Sequence, residues 1–144
     1  MGTKSALQIT EAAIVAHLQA QSELTGLSIV PGIELTVQDL PIIIASCDSA
    51  TTIPDLPEGQ GNYAVTANIA VYTSADEATA LTVHRARSAA VLGAMQNVSA
   101  IKAVFTSQAD ATCYDVLEGQ VEESTGDRSF GMTCTYTAYI VLPA

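Results

Sequence analysis

The chain has 144 residues, 49% hydrophobic and 14% charged, which is typical of one folded domain with a substantial core rather than a disordered polypeptide. Fifteen acidic residues against five Lys and Arg give a formal net charge of −10. A nucleic-acid site that neutralises phosphates is therefore not expected, because its affinity depends on clustered cations. The sequence shows neither a signal-peptide core nor an apolar run of roughly 18 residues, so we expect a protein outside the membrane.

The chain contains three cysteines, Cys47, Cys113 and Cys134, with no C-x-x-C spacing among them. An odd number of cysteines without such spacing favours a reducing compartment. We expect all three to be small, buried, apolar residues rather than disulfides or nucleophiles.

An N-terminal helix is predicted over residues 6–23. Ser5 and Gln8 have the spacing of a capping box, and Gly26 suits the end of the helix. His17 lies beside the apolar stripe of this helix, where we interpret it as a boundary residue rather than a ligand.

Short extended segments follow at residues 27–30 and 33–37, and then the apolar run 41–45 (PIIIA). This run predicts a strand that is buried on both faces or in a subunit contact. Residues 46–62 are rich in Pro and Gly and include Asp48, Asp55 and Glu58, so they are predicted to form a long loop. The loop is either a mobile surface segment or an arm that orders against a partner subunit.

The central stretch combines a strand with a helix. Residues 63–71 alternate between apolar and small or polar side chains, which indicates a strand with one buried face. Ser74 and Glu77 have the spacing of a second capping box, and a helix is predicted to run from there to Met95. Its apolar face is formed by side chains at three- and four-residue steps: Leu81, His84, Ser88, Val91, Leu92 and Met95.

The C-terminal part predicts a short helix or turn at residues 97–107 and a hairpin of strands 112–124 and 129–142. The last strand alternates strictly, and its even positions from 130 to 142 are expected in the core. Thr133, Thr135 and Thr137 stand on the opposite face, where they meet either water or a neighbouring subunit. Glu118 and Glu122 are predicted to share one strand face as a solvated stripe rather than a catalytic pair.

The sequence contains none of the usual phosphate-binding, hydrolase or zinc-protease motifs, so we expect no enzymatic activity, cofactor or metal. His84, Arg85 and Arg87 form the most concentrated basic group of this acidic chain. We expect them to pair with acidic residues of the same or the next subunit rather than to form an anion pocket.

The order of these elements, with DRSFGMTCTYTAYIVL as the last strand, resembles the tail terminator proteins of long-tailed bacteriophages. The resemblance spans nearly the whole chain, which would be a single domain, 1–144. It implies an α+β fold with a mixed, mostly antiparallel sheet and with the long helix and the N-terminal helix packed on one face. It also implies a ring, usually of six copies, that is assembled in the host cytoplasm and lies in the neck of the virion.

Such a ring ends polymerisation of the tail tube and provides the surface to which the head joins. The implied partners are the tail tube protein below and a head-completion or connector protein above. DNA passes through the lumen without specific binding, and an acidic lumen would repel it. The residues that we expect at subunit or partner contacts are Asp48, Asp55, Glu58, Arg85, Arg87, Thr133, Thr135 and Thr137.

Three other readings remain open on the sequence alone. The chain could be another neck component, such as a head-completion or adaptor protein, or it could be a tail tube subunit. From a different class, it could be a small α/β enzyme or ligand-binding domain with a pocket between helix and sheet.

Overall fold

The structure, a computed structural model, describes residues 5–32, 40–53, 61–109, 111–126 and 128–142. Within these ranges, three helices pack on one face of a five-stranded sheet. The helices are α1 (Ala6–Gln19), α2 (Ala80–Gln96) and α3 (Val98–Ala109). The strands are β1 (Ser28–Pro31), β2 (Ile42–Thr52), β3 (Asn62–Ser74), β4 (Thr112–Thr125) and β5 (Ser129–Val141). The predicted α+β class is confirmed.

The strands are arranged in the order β1-β2-β3-β5-β4. Only β1 and β2 are parallel, whereas β2–β3, β3–β5 and β4–β5 are antiparallel. The sheet is therefore mixed and mostly antiparallel, as predicted. β3 lies at its centre and pairs with a neighbour on each side over most of its length.

The core is the layer between the helices and the inner face of the sheet. Ile69 of β3 pairs with Cys134 of β5, Val71 pairs with Met132, and all four side chains are at most 1% exposed. The helices contribute the other side of this layer through large buried side chains, chiefly Leu18, Val91, Met95, Ile101 and Phe105. The period-two pattern predicted for β3 and β5 is confirmed.

Helix α1 begins where the sequence predicts and ends earlier. The Ser5 hydroxyl accepts the Gln8 N–H and the Gln8 side chain accepts the Ser5 N–H, so the capping box is confirmed. The helix ends at Gln19 instead of residue 23, and a 3₁₀ turn, Ser22–Leu24, follows it. Gly26 then adopts a positive φ of 88°, which favours glycine at this point.

His17 corrects the sequence interpretation. Its side chain is 2% exposed, and Nε2 lies 2.8 Å from the Ala94 carbonyl oxygen at the end of α2. The ring is therefore a core residue that ties α1 to α2, and the prediction of a boundary position was wrong. The helical periodicity of α1 could not show this contact, because the partner is a backbone group 77 residues away.

The connection between β3 and α2 differs from the predicted capping box. β3 continues to Ser74, whose hydroxyl accepts the Asp76 N–H at 3.2 Å. α2 begins only at Ala80, after Thr79 with a φ of 51° and no side-chain cap. Glu77 lies in the connection and binds Arg87 instead of a helix N-terminus. Leu81, predicted on the buried face of α2, is 42% exposed in the first turn.

The predicted loop over residues 46–62 is wrong at its N-terminal end and correct to one residue at its C-terminal end. β2 extends to Thr52, so residues 46–52 are strand, and β3 begins at Asn62. Residues 48–52 of β2 are all exposed, and a strand without a covered face has no need of apolar alternation. Residues 54–60, with Asp55 and Glu58, lie outside the described residues, and so does the predicted extended segment 33–37.

A β-bulge reverses the predicted relation between two glutamates of β4. Glu118 pairs with Tyr136 and Glu122 pairs with Thr133, and the register shifts between Glu118 and Val121. Because an extra residue flips the side chains that follow it, the two glutamates point to opposite faces of the sheet. The shared stripe predicted for them was wrong.

Candidate functional site

The cysteine thiols are poor candidates for nucleophiles. Burial raises the pKa of Cys47 to about 12 and the pKa of Cys113 and Cys134 to about 11. Cys113 and Cys134 are buried as predicted, whereas Cys47 is half-buried. A thiol with a raised pKa holds its proton at neutral pH and cannot attack as a thiolate.

His84 lies beneath α2, against β3 and β5. The side chain is 1% exposed, Nδ1 lies 2.9 Å from the Thr73 hydroxyl, and the ring stacks on Phe130 with centroids 6.0 Å apart. Burial lowers the pKa of His84, against the opposing effect of the Gly131 backbone and Glu123. Its Nε2 has no hydrogen bond of ordinary geometry to any described residue. The ring is therefore a neutral packing group at neutral pH.

The two arginines of α2 pair with carboxylates of the same chain, which confirms the predicted pairing for Arg85 and Arg87. The prediction was wrong for His84, which contacts the Thr73 hydroxyl and Phe130 instead of a carboxylate. Arg87 donates to both carboxylate oxygens of Glu77 at 3.0 and 2.9 Å and to the Thr73 hydroxyl at 3.3 Å. These hydrogen bonds are the main cause of the lowered pKa of Glu77. Arg85 and Glu123 form a longer pair, with Nε and Oε1 at 3.7 Å and both side chains at least half exposed.

Among the residues that the structure describes, no group of three or more His, Cys, Asp and Glu side chains could hold a metal ion. None of the helices in the described ranges is long and apolar enough to cross a membrane alone. Taken together, α2 and the segment Val98–Ser107, which meet at a bend of 72°, are long and apolar enough to do so by length and composition only.

The face of the sheet away from the helices is the first candidate assembly surface. A shallow groove of about 440 Å³ crosses it, and Asp48, Thr133 and Thr135 are among its lining residues. Thr133 is exposed and Thr137 is half-exposed on the same face. The Thr135 hydroxyl already accepts the Gln120 N–H at 2.9 Å, so it supports the bulge of β4. The structure thus brings four of the predicted contact residues to one face.

The C-terminal part of β4 is the second candidate surface. Residues 117–125 are all exposed, and β4 is the outermost strand on its side of the described sheet. We name these nine residues the β4 edge. The sequence predicted the strand but missed its position at the edge, since strand order follows from long-range pairing.

The predicted contact residues that the structure describes therefore lie on two opposite sides of the sheet. Arg85 and Arg87 lie on the helix layer and are engaged in pairs, away from the threonines on the opposite side of the sheet. Asp48 is on β2 rather than in a loop, and its carboxylate accepts a hydrogen bond from the Asn68 side chain.

These elements define a two-layer α+β domain with one open sheet face and one long free edge. No protein-family model matches the sequence, and no curated protein matches it. Among solved structures, the fold is similar to a chain in the structure described as the virion of a native gene transfer agent particle. The TM-score is 0.63 at 13% sequence identity, and the match covers 91% of this chain and 93% of that chain. At this identity the likeness shows a shared fold.

Proposed function

We propose that this chain is a structural component of a phage-type virion and, within it, the tail terminator of the neck. The likeness in fold to a chain of a gene transfer agent virion carries this proposal, because it spans nearly the full length of both chains. The order of elements that resembles tail terminators supports the finer assignment.

The chemistry of the described residues supports an assembly role rather than catalysis. Arg87 is held by Glu77 and Thr73, His84 is buried and neutral, and burial raises the pKa of each cysteine thiol. Groups arranged in this way stabilise the fold and leave little reactivity at the surface.

The open sheet face and the helix layer behind it suit the geometry of a ring. In a closed ring each copy uses two different patches, one toward each neighbour. The open sheet face and the helix layer are different surfaces on opposite sides of the sheet. We propose that Asp48, Thr133 and Thr137 contribute to contacts of the sheet face, together with Asp55 and Glu58 of the neighbouring segment.

In this proposal six copies close on the last ring of the tail tube, stop its growth and receive the head-completion or connector protein on the other side. The formal charge of −10 gives the ring a negative potential, so DNA passes through the lumen without binding.

Native mass spectrometry of the purified chain over a range of concentrations tests the ring. A closed species of six copies is the expected result. A stable dimer that retains a small molecule would instead indicate a ligand-binding domain or enzyme, and open-ended polymers would indicate a tube subunit. The triple variant D48N/D55N/E58Q is expected to weaken the six-copy species, whereas an unchanged ring would remove these residues from the contact.

A further inference from the structure

The β4 edge offers unpaired backbone groups along its outer side. Beyond the bulge, Val121 to Thr125 pair in regular register with β5, from Cys134 back to Phe130. No strand of the described chain pairs with the other side of β4. An edge strand of this kind presents N–H and C=O groups to which an additional strand can bind.

Apolar side chains are concentrated on the same strand. Of the five large hydrophobic residues most exposed in the described chain, three lie on β4: Tyr114 at 51%, Leu117 at 48% and Val121 at 42%. Leu117 and Val121 flank the bulge and pair with Thr137 and Cys134, which face opposite sides of the sheet. A strand added to the edge would cover apolar surface on both of its faces.

The charge of the β4 edge selects the kind of strand that can bind. The edge carries Glu118, Glu122 and Glu123 and no Lys or Arg, and Glu123 is already paired with Arg85 of α2. If two copies paired through this edge, two sets of carboxylates would be brought onto one strand pair with no Lys or Arg between them, and like charges that lie opposite each other destabilise such a pair. Other surfaces of a second copy offer few cations, because the chain has 5 Lys and Arg against 15 Asp and Glu, and Arg85 and Arg87 are already paired with Glu123 and Glu77. A strand with cationic side chains meets the edge with complementary charge.

We propose that the β4 edge binds an extended Lys- or Arg-rich segment of a different protein, which joins the sheet as a sixth strand. The regular part of the edge accommodates about five residues of the partner, with alternating cationic and apolar side chains. The inference rests on the proposed function only for the identity of the partner, which would be another protein of the virion.

Nuclear magnetic resonance of the full chain with a synthetic probe tests this inference. The probe is a blocked ten-residue peptide of alternating Lys and Val, and the same peptide with Glu in place of Lys is the negative control. We expect the Lys peptide to shift the amide signals of residues 117–125 and to slow their hydrogen exchange. The Glu peptide should leave them unchanged.

A pair of charge-matched variants separates docking at the edge from general attraction to an acidic protein. E118Q/E122Q removes two charges from the β4 edge, and E23Q/D76N removes two from exposed positions elsewhere. The edge variant should lower the affinity for the Lys peptide roughly tenfold, given about 0.2–1 kcal/mol for each exposed pair and additional loss of alignment. The control variant should lower it far less.

Three results would overturn the inference. They are an equal loss of affinity in both variants, signal shifts scattered over the acidic surface, and slow exchange of residues 117–125 that appears in the protein alone as its concentration rises. The last result would mean that a second copy covers the edge. Ring formation in native mass spectrometry is a separate outcome, so failure of this inference leaves the proposed ring standing, and the reverse also holds.

Discussion

β5 and β4 are neighbouring strands with opposite environments. On β5 the side chains of Met132, Cys134 and Tyr136 are at most 3% exposed, while residues 117–125 of β4 beside them are all exposed. The difference arises from the helix layer, because α2 packs on β3 and β5, whereas β4 packs mainly on α3 and its buried apolar side chains, Cys113 and Val116, lie near its start. Burial in this fold is therefore set by which helix lies above a strand, rather than by strand pairing.

The comparison also separates two kinds of surface. The β5 side of the sheet provides the stability of the domain, since its inner face is part of one continuous core. The β4 edge contributes little burial within one chain, so its exposed Leu117 and Val121 are available for contacts with other molecules.

Truncating one side chain on each strand would show the largest contrast. Met132→Ala should lower the free energy of unfolding by about 2–5 kcal/mol, because it leaves a cavity in the core. Val121→Ala, on the same side of the sheet, should lower it by less than about 1 kcal/mol, because the side chain is already partly in water. Chemical denaturation of both variants measures the difference, and equal losses would contradict the described burial of β5 and exposure of β4.

The pH dependence of stability should show a smaller effect on the covered side. His84 faces Thr73 and Phe130, with Arg85, Arg87 and Glu123 as the nearest charges, and burial lowers its pKa below the ordinary value of 6.5. As the pH falls, His84 is therefore protonated at a higher pH in the unfolded chain than in the folded chain. The stability that the neutral ring provides is complete above about pH 6.5 and is lost as the pH falls through the folded-state pKa.

The matched variant for this prediction is His84→Gln, which removes the titrating ring. The denaturation midpoint of each protein is measured as a function of pH between about pH 5 and pH 8. The midpoint of the natural sequence should fall more steeply on the acid side than that of His84→Gln. Parallel curves would mean that His84 does not titrate differently in the folded and unfolded chains.

Much of the fold could be predicted from the sequence wherever a buried face imposes a period. The alternation in β3 and β5 and the Ser5–Gln8 capping box all predicted their elements correctly. Prediction failed at Asp48 and the other exposed residues of β2, because a strand without a covered face leaves no such pattern. It also failed at Glu77, whose partner Arg87 lies ten residues away in the sequence.

The candidate surfaces were only partly predictable. Arg85 and Arg87 were correctly expected to pair with carboxylates, since cations are few in an acidic chain. The β4 edge was not predicted, because the sequence shows a strand without its place in the sheet. The bulge between Glu118 and Val121 was equally hidden, although Gly119 lies within it: a side chain there would meet the Thr135 hydroxyl at 2.6 Å.

The most direct test of the proposed function is the length of tail tubes assembled from the tube protein of the same virion, with and without this chain, viewed by electron microscopy. The proposal predicts tubes that carry one ring of this chain at an end and do not grow further when more tube protein is added. Continued growth with no ring at the tube ends, or incorporation of this chain along the tube, would contradict it.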